Sequence, residues 1–203
     1  MLLHNCLAPS RSKPIFREMI IRPVKSSDHQ ALWDIVRPVF RAGETYAVKR
    51  DISRSAALNM WCSAPRATYV AEEQGRLLGT YYIKTNAQGG GSHVCNCGYV
   101  TAEAAQGRGV ARALCLRSQE QAIKLGYKAM QYNMVLASNA GAVALWHKLG
   151  FETVGELPRV FEHPTKGFVD AYVMYKWLLP DTSRREAALA QNDAQNDEHQ
   201  AQP

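Results

Sequence analysis

Two features of this sequence have the residue types and spacing to do chemistry. The first is the run Gln106-Gly107-Arg108-Gly109-Val110-Ala111, which precedes a segment rich in Ala, Leu and Arg. Gly107 and Gly109 let the backbone turn tightly and approach a ligand closely. At the start of a helix the first N–H groups lack internal partners, and the helix dipole favours negative charge there. Arg108 and Arg112 can add charge-assisted bonds, so a pyrophosphate is the natural guest. The bland alternative is a plain strand–helix turn. The second feature is a pair of asparagines, Asn96 and Asn133, each inside a β-rich run. Asparagine is depleted in strands. An amide is no strong base, but it can both accept and donate hydrogen bonds and so hold a polar group in place, and positioning of that kind accelerates a reaction. The alternative is that each serves a bulge or a local backbone group.

The elements that would hold these residues follow from the pattern. Met19 to Val24 opens with a short β-rich run that Pro23 ends or places at an edge. Ser27 is the expected N-cap of a helix carrying Leu32, Ile35, Val36 and Phe40 at helical spacing, closed by Gly43. Ser53 to Cys62 reads as a second helix. Ala67 to Glu73 and Leu77 to Lys84 read as a hairpin about Gln74-Gly75. After the break at Gly89-Gly90-Gly91, Val94 to Thr101 reads as a strand, Gly109 to Leu125 as a helix stopped by Gly126, and Lys128 to Leu136 as a strand. Ser138-Asn139 caps a helix running to Leu149. Phe151 to Leu157 and Phe168 to Leu178 close the pattern as two strands. The order β-α-α-β-β-β-α-β-α-β-β predicts an α/β fold: antiparallel pairing early, a parallel crossover around the glycine turn, and helices over a mixed sheet.

Composition bounds the function. The chain has 203 residues, a formal charge of +6 and a pI of about 9.1. The length suits one domain. The basic excess suits an anionic ligand, and no Lys/Arg block interleaved with aromatics points to nucleic acid. No run approaches the roughly 20 apolar residues that span a bilayer, so no membrane role is expected. The five cysteines include no CxxC pair; they read as reduced thiols in the cytoplasm, and no metal site is expected. Residues 1–18 read as a flexible extension, 19–180 as the domain, and 181–203 as a polar, disordered tail. The glycine turn is neither a P-loop, which ends in Gly-Lys-Ser/Thr, nor a dinucleotide fingerprint, which follows the first strand of a βαβ unit.

Gln106 to Ala111 resembles the Q/R-x-x-G-x-G/A signature of the GNAT N-acetyltransferase superfamily. The run Asn139, Ala142, Leu145-Trp146, Gly150-Phe151 is similar to that family's N-x-x-A-x-x-L-Y-x-x-x-G-F motif, and the resemblance extends from Met19 to Leu178. It implies a GNAT fold in which the strands before and after the signature helix splay apart, and acetyl-CoA as cosubstrate. Its pantetheine arm would lie along the backbone of Tyr99, Val100 and Thr101. Its pyrophosphate would sit on the N–H groups of Gln106, Gly107, Arg108, Gly109, Val110 and Ala111, with Asn139 and Ala142 of the second motif also at the cofactor. A backbone N–H at the splay would hold the oxyanion. The family's usual general acid is a Tyr where this chain has Trp146. His93 to Tyr99 and Gln131 to Val135 further resemble the azetidine-2-carboxylate (proline-analogue) N-acetyltransferases, in which an asparagine on each splayed strand orients the substrate nitrogen. Those asparagines match Asn96 and Asn133. The expected partner is therefore a small amine or imino acid, with pairing of two copies through the last strands a further expectation. The rival readings are acetylation of a peptide amine and a non-catalytic acetyl-CoA-binding module. Glu44, Tyr46 and Asp170 are weaker candidates for contact with a substrate amine. His93, His147 and His163 read as structural or uninformative.

Overall fold

The structure is a computed structural model, and it describes residues 19–180. The expectations for residues 1–18 and 181–203 lie outside the described residues.

Seven strands form one sheet in the order β1-β2-β3-β4-β5-β7-β6. They are β1 (Ile20–Pro23), β2 (Ala67–Glu73), β3 (Arg76–Thr85), β4 (Val94–Thr101), β5 (Ala129–Leu136), β6 (Glu152–His163) and β7 (Gly167–Trp177). Every neighbouring pair is antiparallel except β4 and β5. These two are joined by α3 (Val110–Lys124), the crossover that parallel strands require. The remaining helices are α1 (His29–Ala42), α2 (Arg54–Leu58) and α4 (Ala140–Lys148).

The central strands of the sheet are covered on both faces. On one side α1, α2 and the turn that follows α2 place Leu32, Val36, Phe40, Ala57 and Trp61 against Val70 and Val100. On the other, Val110, Leu114 and Cys115 of α3 and Trp146 of α4 meet Tyr81, Met130, Tyr132 and Met174. This is the mixed, helix-covered sheet that the element order predicts.

Three local expectations are corrected. Ser27 does not cap α1. A short 3-10 turn, Ser26–Asp28, precedes the helix, and Asp28 is the capping residue. Its buried carboxylate accepts the Lys25 N–H at 2.7 Å and both Arg22 guanidinium nitrogens at 2.7 and 3.0 Å. The second helix is α only to Leu58 and continues as a π turn over Asn59–Ser63, which drives Trp61 fully into the core. The sixth strand does not stop at Leu157. It passes Pro158 by a bulge between Leu157 and Phe161, where Arg159 adopts φ 52° and its N–H donates to Asp170 Oδ1 at 2.7 Å. Proline cannot donate to a ladder, and the bulge absorbs that loss.

Candidate active site

The glycine turn and the asparagines meet at a fork. Strands β4 and β5 pair only at Val94↔Ala129 and Cys95↔Met130, and then part. A bulge in β5 between Tyr132 and Val135 bends that strand away. The β3–β4 ladder fixes which backbone groups look into the gap. Asn86 N–H bonds Val94 O at one end and Ala102 N–H bonds Leu78 O at the other. In an antiparallel ladder bonded pairs alternate, so even-numbered β4 residues spend their backbone on β3 and odd-numbered ones face the fork. Cys97, Tyr99 and Thr101 therefore present N–H and C=O groups to the gap. Val100, expected alongside them, turns its backbone groups to β3.

A cavity of about 390 Å³ fills the fork, and both asparagines line it. Asn96 is buried; its Nδ2 donates to Gln131 O at 2.9 Å, bridging the strands just where their backbones separate. Its Oδ1 is left with one long contact, from the Tyr82 hydroxyl at 3.5 Å. Asn133 lies in the β5 bulge and is exposed. It accepts from Gln131 Nε2 and donates to Asn86 Oδ1, each at 2.8 Å. Local hydrogen bonding thus accounts for part of each amide's capacity, and both side chains still face one space. Asn139 and Ala142 line the same cavity; the Asn139 side chain caps α4 by accepting Ala142 N–H at 3.2 Å. Trp146 is packed in an aromatic cluster, with ring centroids 5.1 Å from Tyr99 and 5.2 Å from Tyr132.

At the open end of the fork the chain enters the glycine turn. Gly107 and Gly109 have φ of 73° and 78°, the left-handed region that side chains resist. A Cβ at either would meet nothing within 4 Å, so conformation, and not crowding in the free protein, calls for glycine. Among the described residues, the N–H groups of Gly107, Arg108, Gly109, Val110 and Ala111 find no hydrogen-bond acceptor. Gln106 differs from the expectation: its N–H closes the preceding 3-10 turn by donating to Glu103 O at 3.2 Å. Arg108 is likewise committed, to Glu73 at 2.9 Å, whereas Arg112 is exposed and enters none of the ion pairs among the described residues. The five open N–H groups and the helix end form a cradle that suits an anion such as a pyrophosphate.

Several candidates fall away from the fork. Glu44 is exposed and borders a separate groove beside α1. Asp170 is engaged by Arg159. His93 holds Gly90 O at 3.1 Å beside the closed end of the fork, His147 bonds Phe151 O, and His163 is buried near Thr165. Tyr46 does reach the cavity: its hydroxyl donates to Tyr99 O at 2.8 Å, on the fork side of β4. Sequence reasoning missed Trp61, Tyr82, Lys84 and Asn86. An alternating strand reading over 77–84 puts Tyr82 and Lys84 on one face, but nothing in the sequence says that this face meets Asn96 and not solvent. Burial pushes the Tyr82 phenol up to about 12, and raises the Cys97 thiol and the Tyr99 and Tyr132 phenols well above their ordinary values. Among the described residues, no histidine, aspartate or glutamate lines the cavity.

Comparison with known proteins agrees with this geometry. The acetyltransferase (GNAT) family profile matches residues 29–151. The N-acetyltransferase aca1 of Schizosaccharomyces pombe is 33% identical over 117 residues, which is 56% of this chain and 54% of that protein, so the match spans about half the relative's length. A GCN5-related N-acetyltransferase from Kribbella flavida superposes with a TM-score of 0.74 at 37% identity, covering 78% of this chain and 97% of that one. An acetyltransferase from Salmonella typhimurium, solved with its cofactor acetyl-CoA, shares the fold at 23% identity and a TM-score of 0.70, covering 80% and 95% of the two chains. The forked sheet, the glycine cradle and these matches together place the chain in the acetyltransferase (GNAT) family.

Proposed function

We propose that this protein is an acetyl-CoA-dependent N-acetyltransferase that acts at the β4–β5 fork on the nitrogen of a small molecule, and that the acceptor is a proline-like imino acid. The observation that carries the reading is the fork itself: one cavity of about 390 Å³ lined by Asn96 and Asn133 between β4 and β5, with five N–H groups that find no acceptor among the described residues in the turn that follows β4. The residues present fit acetyl-CoA. Gly107, Arg108, Gly109, Val110 and Ala111 would hold the pyrophosphate through N–H groups, and Tyr99 and Thr101 would hold the pantetheine arm as an added strand. When bound, acetyl-CoA supplies a thioester carbonyl as the electrophile.

The chain's own part is to orient and to stabilise. Asn96 Oδ1 and the Asn133 amide hold the acceptor nitrogen with its lone pair toward the centre of the fork. A backbone N–H of the fork-facing set on β4 stabilises negative charge that develops on the carbonyl oxygen. Trp146 packs and carries no proton, and a leaving thiol with an ordinary pKa near 8.5 needs little protonation. The Asn96–Asn133 pair favours this reading over a binding module, which has no use for amides aimed at a shared cavity. The test is release of free thiol from acetyl-CoA with a panel of amines: azetidine-2-carboxylate and proline analogues beside primary amino acids, polyamines and peptides. The reading expects turnover that is highest with the imino acids. Turnover confined to primary amines overturns the imino-acid assignment, and no amine-dependent release at all overturns the enzyme reading.

A further inference from the structure

Among the described residues that line the fork cavity, Lys84 is the only one charged at neutral pH; the others present aromatic, aliphatic, amide, hydroxyl and thiol groups. The Lys84 side chain is exposed, and its neighbours set its place at the cavity's edge. In the β3–β4 ladder Lys84 stands directly opposite Asn96, so both side chains rise from the same face of the sheet. Its ammonium lies 5.6 Å from the centroid of the Tyr82 ring, close enough for a cation–π contact. Tyr82 is itself immobilised. Its ring makes an edge contact with the Trp61 indole at 4.9 Å and covers Gly98, where a Cβ would come within 2.5 Å of it. Lys84 enters none of the ion pairs among the described residues.

The cofactor's phosphates do not explain this cation. They belong at the glycine turn, beyond the far end of β4. From Asn96 to Thr101 is five residues, roughly 17 Å of strand. Lys84 therefore stands on the acceptor side of the fork, beside the amide that would hold the acceptor nitrogen.

Building on the acetyltransferase reading, we propose that Lys84 determines acceptor specificity: it pairs with a carboxylate carried next to the reacting nitrogen, and with no acidic group to offset it the cavity turns away polyamines. The nitrogen held at Asn96 and an anionic group held at Lys84 make an α-carboxylated amine the matching class of substrate.

The test compares the full-length wild type with Lys84→Gln, Lys84→Glu and Lys84→Arg, using L-proline analogues as free acids and as the corresponding carboxamides. The quantity read is the ratio of kcat/KM for acid to kcat/KM for amide, with the split into kcat and KM, beside the Kd for CoA. The ratio should fall at least tenfold in Lys84→Gln, mainly through KM for the acid, fall further in Lys84→Glu, and return to within about threefold of wild type in Lys84→Arg. A ratio in Lys84→Gln equal to that of wild type overturns the assignment while leaving the acetyltransferase reading intact. A loss of CoA affinity as large as the loss in ratio also overturns it, because the lysine would then serve the cofactor. Failure of the wild type to acetylate any of these imino acids or carboxamides overturns the Lys84 assignment together with the imino-acid reading, and thiol release with none of the wider amine panel either overturns the acetyltransferase reading as well.

Discussion

At the residue scale, Asn96 and Asn133 differ in what else they do, and that difference is measurable. Asn133 is exposed and bonded only to two other amide side chains, so Asn133→Ala should change stability by no more than about 0.5 kcal/mol. Asn96 is buried and ties β4 to Gln131, so Asn96→Ala should destabilise the fold by about 1–2 kcal/mol as well. If both amides orient the acceptor, each substitution lowers kcat/KM by at least about tenfold, or about 1.4 kcal/mol in the barrier, with little change in CoA affinity. Thermal melts and steady-state kinetics on the two variants separate the effects. Trp146→Phe should be mild in kcat, since the indole packs among Tyr99, Tyr132 and Phe151. The pH dependence belongs here too. Among the described residues, no histidine or carboxylate lines the cavity, and the Tyr82 phenol is pushed up to about 12. The acidic limb of kcat/KM should therefore track the pKa of each amine substrate, moving when the substrate is changed. A limb fixed near pH 6.5 for every substrate would point to an enzyme histidine.

At the element scale, two strand–turn features set the site. The first is the glycine turn into α3. Gly109→Asp puts a carboxylate among N–H groups suited to an anion, in a conformation that disfavours side chains. CoA affinity should fall by at least tenfold while the folded chain persists; calorimetry that finds wild-type affinity in a folded variant removes the turn from the cofactor site. The second is the close approach of Tyr82 to Gly98. Gly98→Ala forces a Cβ to within 2.5 Å of the ring, so either β4 or Tyr82 must shift. A cost of about 1–3 kcal/mol is expected, with a loss of acceptor binding as Tyr82 and Lys84 move. Fold elements of this kind were unevenly legible. The Gln74-Gly75 hairpin, the helix after Gly109 and the Asn139 cap follow from local rules that hold whatever surrounds them. The strand past Pro158 and the π turn at Trp61 do not, because in both cases tertiary packing overrides a local preference.

At the scale of the whole molecule, the element order was enough to predict a mixed sheet covered by helices, since consecutive strands suit antiparallel pairing and the crossover at α3 demands a parallel pair. The candidate site was legible only in part. The glycine turn and the asparagines stand out by residue type, but which backbone groups face the fork depends on register. Register sends Val100 toward β3, and the 3-10 turn closes the Gln106 N–H; neither is written in residue type. The same holds for Lys84, an ordinary strand lysine until β4 is laid beside it. Stability has a whole-molecule pH dependence through Arg22, Asp28 and Glu72, which pin β1, α1 and β2 together. The hydrogen bond from Arg22, then that from the Lys25 N–H, holds the Asp28 carboxyl below its ordinary range against the opposing cost of burial. Its contribution is thus present above the ordinary carboxylate pKa of roughly 4 and is lost as pH falls through the depressed value. Asp28→Asn should lower the melting temperature at pH 7, by roughly 2–4 °C for each kcal/mol lost in a domain of this size, and flatten its decline in acid. The central claim is that the β4–β5 fork transfers acetyl groups to a nitrogen held by two asparagines, and it is tested most directly by amine-dependent thiol release from acetyl-CoA by the wild type beside the Asn96→Ala/Asn133→Ala double variant. The account predicts turnover of azetidine-2-carboxylate by the wild type and a loss of at least a hundredfold in the folded double variant at unchanged CoA affinity; equal turnover by the two proteins would contradict it.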